Sequence, residues 1–298
     1  MVRQYKIHTN LDGTDDKVWD VTNGKVRFYQ PSNLGLQSTN NIWQSNGIGI
    51  MGKRSITQPQ IEFKLETFGE SLEENYQLMK DFVNDILSKK FVTLEYQTEI
   101  FQVYADLALA DVTKTEGYGK NGTFSEKITF DVVTKWYTYE NLTFDMIENG
   151  KVLSGKSKIY GGTAPGDYKY IEGTSYTYYG ESDIGRLSRW EIKEKIFSFM
   201  GVLYPKLPKT PAGVRFLDDV GNEYTAIVFK TEQVQDYILI NTDVNDEFYQ
   251  GWKGTTVLNL FPVMNFERYR TRIIEKGQME LVNLSKAELK IKRKADFI

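Results

Sequence analysis

The sequence predicts a mainly β (α+β) fold in two parts. An N-terminal β-sandwich with one amphipathic helix and a long β-hairpin comes first, and a second β-sandwich of jelly-roll type follows. Three observations carry that expectation. Apolar and polar residues alternate through several short segments, the pattern of strands with one buried face. A single stretch, residues 71–90, places its apolar residues at helical spacing. Beyond residue 137, short apolar runs recur between Gly, Pro, Asn and Asp turns, with no second helical period.

The early segments YKIH (residues 5–8) and KVWDV (17–21) read as strands. Residues 30–60 are rich in Asn, Ser and Gly and carry no period, so they read as a long loop that is functional or ordered by a partner. In QIEFKLE, Ile61, Phe63 and Leu65 fall on one side. FVTLEY does the same with Val92, Leu94 and Tyr96, and EKITFDVV with Ile128, Phe130 and Val132. Residues 100–130 read as two long strands joined at a glycine-rich tip, Gly117 to Gly122.

The helix is predicted from Leu72, Tyr76, Met79, Phe82, Val83, Ile86 and Leu87 on one 3.6-period face. Ser71 and Glu74 form an S-x-x-E capping box, in which each side chain satisfies an orphan amide of the first turn. Lys89 and Lys90 place positive charge at the negative end of the helix dipole.

The domain boundary is predicted near residue 138, giving parts 1–137 and 138–298. The second part contains strand-like runs including YKYI, SYTYY, GVRFL, YTAIVF, YILIN, TVLNLF, RYRTRII, MELV and ELKIKR. GDYKYIEGTSYTYYGE, residues 166–181, holds an alternating pair Tyr168/Tyr170 and another, Tyr176/Tyr178. Tyrosine buries much area with few rotors and keeps a polar tip, so these four are candidate partner contacts on a hairpin, ahead of a saccharide site.

Composition excludes several kinds of chemistry. With no cysteine, the chain makes no disulfide, thiolate nucleophile or cysteine-ligated zinc site. A net charge of -3 gives no general attraction to nucleic acid or anionic lipid. The N-terminal residues lack the apolar core of a signal peptide. The longest apolar run, Ile196 to Pro205, is about half the roughly 20 residues of a membrane-spanning helix. The expectation is a protein made in a cytoplasm, without a membrane partner.

The remaining motifs favour plain readings. The lone His8 reads as a strand residue, since one histidine builds neither a His-rich metal site nor, without a serine motif, a triad. Gly117, Gly119 and Gly122 match G-x-G-x-x-G, but a strand follows where dinucleotide binding needs a helix N-terminus. Asp243 to Phe248 resembles the start of a calcium loop, yet Phe248 occupies the obligatory glycine position and Gly254 that of the closing glutamate. Leu11 to Asp16 reads as a turn, ahead of a weak cation-binding loop. Arg268, Arg270 and Arg272 share one face of an expected strand; a solvated or interface face is preferred over a phosphate-binding stripe. No catalytic residue, cofactor or metal site is expected, and the chain is not read as an enzyme.

The order of these elements resembles the distal tail proteins of long-tailed phages, in particular siphophages infecting lactococci. YKIH, KVWDV, GIGIMGKRSITQP, IEFKLETFG, the capped helix, FVTLEY, the long hairpin, KITFDVVTKWY and the final GQMELVNLSKAELKIKRKADF carry the resemblance. It implies a structural baseplate protein of the virion, assembled in the host cytoplasm. The first half would form a six-membered ring joining tail tube to baseplate. The second would be a galectin-like β-sandwich, with an extension in 141–180 or within 205–254 that holds receptor-binding proteins. Implied partners are further copies of the chain, the major tail-tube protein, a tail-associated hub protein and the receptor-binding protein. Phage DNA would pass through the lumen without specific binding. The alternative is a carbohydrate-binding module contacting host cell-wall saccharide.

Overall fold

The computed structural model describes residues 3–13, 15–114, 123–145, 147–148, 151–152 and 190–295. They fall into two compact units, one of residues 1–138 with 295–298 and one of residues 139–294. The architecture is mainly β with one α-helix among the described residues, as the patterning predicts.

The first unit contains β1 (Gln4–His8), β2 (Val18–Asp20), β3 (Val26–Ser32), β4 (Gln37–Ser45), β5 (Ile48–Thr57), β6 (Ile61–Thr67), α1 (Leu72–Leu87), β7 (Val92–Gln97), β8 (Gln102–Thr113) and most of β9 (Ser125–Asp145). Seven strands pair antiparallel in the order β3-β6-β9-β8-β7-β1-β2. The sheet folds over itself. Tyr5 on β1 meets Phe63 on β6 edge to face at 5.5 Å, although three strands separate them in the sheet. The Phe28 N–H donates to Val21 O at 2.8 Å where the two ends approach.

Strand β6 shows the expected alternation, with Ile61, Phe63 and Leu65 buried. Strand β7 buries Val92, Leu94 and Tyr96 as predicted, and also Thr93 and Glu95 on the other face. Burial of those polar side chains is tolerable because each is bonded. Thr93 Oγ1 donates to Asp106 at 2.9 Å, and Lys6 Nζ donates to Glu95 at 3.0 Å.

Helix α1 departs from the predicted face. Asn75, Phe82 and Ile86 are buried, Leu78, Met79 and Val83 pack partly, and Leu72, Tyr76 and Leu87 are exposed. The buried stripe is centred on Asn75, which a purely apolar count passes over. Its Oδ1 accepts the Gly69 N–H at 2.6 Å and its Nδ2 donates to Ser71 O at 3.0 Å, so the polar group closes the loop entering the helix. Ser71 caps as expected, accepting from Glu74 N–H at 3.1 Å. Glu74 reaches one residue farther back than the box predicts and accepts from Glu70 N–H at 2.6 Å. The last turn holds no basic residue. Lys89 and Lys90 lie beyond the Ser88 cap, and Lys89 pairs with Asp15 at 2.7 Å.

The expected loop at residues 30–60 is a correction. Its central part is a two-stranded ribbon, β4–β5, turning at Asn46-Gly47. Both turn residues have positive φ, 51° and 80°, the requirement of a type I′ hairpin turn. Asn-Gly was the signal, masked by polar neighbours.

The second unit contains the end of β9 and then β10 (Ile147–Glu148), β11 (Lys151–Val152), β12 (Trp190–Ile192), β13 (Ile196–Pro205), β14 (Ala212–Leu217), β15 (Glu223–Phe229), β16 (Tyr237–Asn241), β17 (Phe248–Lys253), β18 (Thr256–Asn259), β19 (Gly277–Val282) and β20 (Leu284–Lys294). One sheet runs β18-β17-β16-β13-β20, with the end of β9 beside β20, and a second runs β12-β19-β14-β15. They face each other across one core. Phe199 of β13 meets Phe216 of β14 at 5.8 Å, and Phe229 of β15 meets Tyr249 of β17 at 5.6 Å.

The apolar run Ile196 to Pro205 is an inner strand of this core, paired with β16 and β20. The expected strand RYRTRII is not formed. Residues 268–273 are irregular, with Arg268 N–H and Tyr269 N–H donating to Asn265 O, both at 3.2 Å, and Ile274 makes only an isolated bridge to Ile196. At Gly213 the chain has φ +153°, and a Cβ there would lie 2.0 Å from Ile227 O, so glycine alone permits the close approach of β14 to β15.

Candidate assembly surfaces

Every residue of β4 and β5 is exposed, which is unusual for so apolar a ribbon. The register places Trp43 opposite Ile50 and Ser45 opposite Ile48, so Trp43, Ile48 and Ile50 share one face near the tip. Ile42 sits opposite Met51 on the other face. A register shift between Asn40 and Ile42 brings Ile56 onto that second face. Trp43, Ile48 and Ile50 are 68%, 70% and 68% exposed. A ribbon apolar on both faces is built to lie between surfaces rather than upon one. Its base is anchored: Trp136, itself buried, donates its indole N–H to Leu34 O at 2.9 Å, and Gln58 Nε2 donates to Asn33 O at 3.1 Å.

The charged candidates are occupied internally. Arg268 grips Glu223 through two bonds of 2.7 and 2.5 Å, and this pairing holds the Glu223 carboxyl below its ordinary range. Arg270 donates to Glu267 O at 3.3 Å, and Arg272 pairs with Glu247 at 2.8 Å. The three arginines therefore form no shared anion stripe. Asp243 pairs with the buried Lys292 at 3.1 Å and accepts the Asn245 N–H at 3.0 Å, which closes its own turn. Phe248 and Gly254 lie on β17 and in the β17–β18 turn.

His8 does more than occupy a strand. Its Nδ1 lies 2.7 Å from Asp16 Oδ2 and its Nε2 2.9 Å from Glu95 Oε2, and a ring protonated at both nitrogens is the form that donates to both. Asp16 also accepts the Asn10 N–H at 2.9 Å, so it is tied both to Asn10 and, through His8, to the sheet. Burial raises the Glu95 pKa, but hydrogen bonds from Lys6 and His8 outweigh it and leave the group below its ordinary value. Sequence reasoning missed this cluster because Glu95, which joins it together, lies 87 positions from His8. Tyr168, Tyr170, Tyr176, Tyr178, Gly117, Gly119 and Gly122 lie outside the described residues.

A β-rich chain that spends its charges on internal pairs and offers an anchored apolar ribbon to solvent is an assembly protein. Comparison with known proteins gives the family. The distal tail protein N-terminal domain model matches residues 4–133 and the Dit C-terminal domain model residues 135–298. The chain belongs to the phage distal tail protein (Dit) family, a structural virion component rather than an enzyme. It is 93% identical over 298 residues to the distal tail protein of Lactococcus phage p2 and 90% identical to that of Lactococcus phage SK1, with 100% of each chain covered. Its fold matches a chain in the structure of the phage P2 baseplate in its activated conformation with Ca, at TM-score 0.78, 93% identity and full coverage of both chains. The crystal structure of SPP1 Dit, at 9% identity and TM-score 0.53 over 99% of this chain, shares the fold. No helix among the described residues is long and apolar enough to cross a membrane.

Proposed function

We propose that the chain is the hub of a lactococcal phage baseplate, forming a six-membered ring between tail tube and baseplate. The carrying observation is the exposed β4–β5 ribbon, apolar on both faces. A ribbon that docks on the next copy makes a head-to-tail contact, and such a contact repeated by rotation closes a ring. The tail-tube protein and a tail-associated hub protein would meet the ring above and below, and DNA would pass through the lumen without specific binding.

The second unit would hold the receptor-binding proteins. Residues 205–254 supply β14 to β17 to the two sheets of the sandwich, which favours 141–180 as the extension. Tyr168, Tyr170, Tyr176 and Tyr178 fall in that segment and are the proposed partner contacts. The role is tested by complementing a phage that lacks this chain with Tyr168→Ala/Tyr170→Ala. Tails are expected to form with receptor-binding proteins depleted. Full receptor-binding protein content, combined with loss of saccharide binding by the purified variant, would favour the carbohydrate-module alternative.

A further inference from the structure

Strands β3 and β6 carry the ribbon at one end and the entry to α1 at the other. Their register runs from Ser32 opposite Glu62, where β4–β5 leaves the sheet, to Val26 opposite Thr67, where the chain turns into the helix. At roughly 3.3 Å per residue, the two ends lie about 20 Å apart. The ribbon is exposed along its whole length, so it does not lie back on its own unit.

At the α1 end, exposed apolar residues gather. Tyr29 meets Phe68 at 6.3 Å, and Leu72 and Tyr76 stand one turn apart on the helix, with Tyr76 6.4 Å from Phe124. Leu72 and Tyr76 are 56% and 60% exposed, while the helix buries Phe82 and Ile86 in its own core. Glu70 and Glu73 flank them and make no ion pair among the described residues, whereas Glu74 is held by Lys25 at 2.5 Å.

The second face of the ribbon is the complement of this surface. Ile42, Met51 and Ile56 line it, and the register shift that brings Ile56 there also brings Arg54, opposite Asn40. Arg54 donates to Asn40 Oδ1 at 2.9 Å and to the Met51 sulfur at 3.9 Å, so no carboxylate balances its charge among the described residues. With Lys53 it gives Gln37–Thr57 two positive charges and no acid. The other end of α1 does not match. Beside Leu87 and Val18 the acids Asp15 and Asp85 are already taken by Lys89 and Lys17. The β7–β8 turn offers one large exposed apolar residue, Ile100, among the described residues.

We infer that the N-terminal face of α1, Leu72 and Tyr76 with Glu70 and Glu73, receives the Ile42–Met51–Ile56 face of the ribbon from a second copy of this chain. Lys53 and Arg54 then stand against the two glutamates. Ribbon and receiving face sit at opposite ends of β3–β6, so each copy gives one to the neighbour on one side and the other to the neighbour opposite. That is the head-to-tail contact from which a ring closes. Apolar burial supplies the attraction, and the charge pairs fix the register and exclude wrong dockings. Such a contact rests on the ring reading, to which it adds the receiving surface.

Charge reversal on the full-length chain, read by sedimentation velocity across a concentration series, tests it. Lys53→Glu/Arg54→Glu and, separately, Glu70→Lys/Glu73→Lys are each expected to weaken assembly at least about 10-fold. The quadruple variant is expected to assemble within about threefold of wild type, a compensation that damage to the ribbon or the helix alone would not produce. Leu72→Ser/Tyr76→Ser, at exposed positions, is expected to weaken assembly by a similar factor with far-UV circular dichroism unchanged. Assembly that is lost on the ribbon substitutions yet indifferent to both helix variants overturns this inference and leaves the ring reading standing. Reversals that are each damaging and fail to compensate when combined also overturn it. A wild-type chain that stays monomeric at every concentration overturns both.

Discussion

Trp43→Ser combined with Ile50→Ser removes the cross-strand pair at the heart of the exposed ribbon. Full burial of a large apolar side chain contributes about 1.5–3 kcal/mol. Both side chains are 68% exposed, so about two thirds of that, roughly 1–2 kcal/mol each, remains to be gained on association. The pair then supplies about 2–4 kcal/mol per contact, or about 30- to 700-fold in the association constant. A closed ring depends on every contact at once, so it dissociates steeply as each weakens. Sedimentation velocity across a concentration series reads the effect directly. The thermal midpoint should hardly move, because exposed substitutions usually fall within about 0.5 kcal/mol. Unchanged assembly at every concentration would refute the reasoning. A large loss of thermal stability would mean that the ribbon serves its own unit instead.

Three further outcomes follow from the geometry. Glu95 is held below its ordinary value near 4.5, so its stabilisation is present above that pH and is lost as pH falls through the folded-state value. Urea unfolding between pH 3 and 7 should show a steeper acid loss in the wild type than in Glu95→Gln, and equal slopes would contradict the assignment. Gly213→Ala drives a Cβ to 2.0 Å from Ile227 O at φ +153° and should destabilise the second unit by about 2–5 kcal/mol, measured by calorimetry. Gly47→Val forces a β-branched residue to φ +80° in open space; it should cost about 1–2 kcal/mol of hairpin order and weaken assembly while leaving both cores intact, as read by near-UV circular dichroism and sedimentation.

The parts of the fold that were legible are those where one face is buried and the other wet. Strand β6 alternates because Ile61, Phe63 and Leu65 meet the core while Glu62 and Lys64 do not. The helix was visible for the same reason, but its true centre was hidden because Asn75 sits there to bond Gly69 and Ser71. Strand β17 was not picked out, since Gly251 interrupts its apolar alternation. RYRTRII has strand composition, yet Arg268 and Arg272 are held by Glu223 and Glu247, partners that local pattern does not show.

The candidate surface was the hardest to see. Periodicity detects burial within one chain, and β4–β5 has none. Its apolar residues are exposed, lie on both faces and shift register at Asn40/Ile42. The Asn46-Gly47 turn was the readable sign. The His8 cluster was closed to sequence reasoning for a different cause, since Glu95 lies 87 positions from His8 and reaches it only after the sheet has folded.

Single-particle electron microscopy of the purified full-length chain tests the central claim most directly. The account predicts closed rings with six-fold symmetry, in which the Gln37–Thr57 ribbon of each copy lies against its neighbour. Folded monomers persisting at high protein concentration, with the ribbon still bare to solvent, would contradict it.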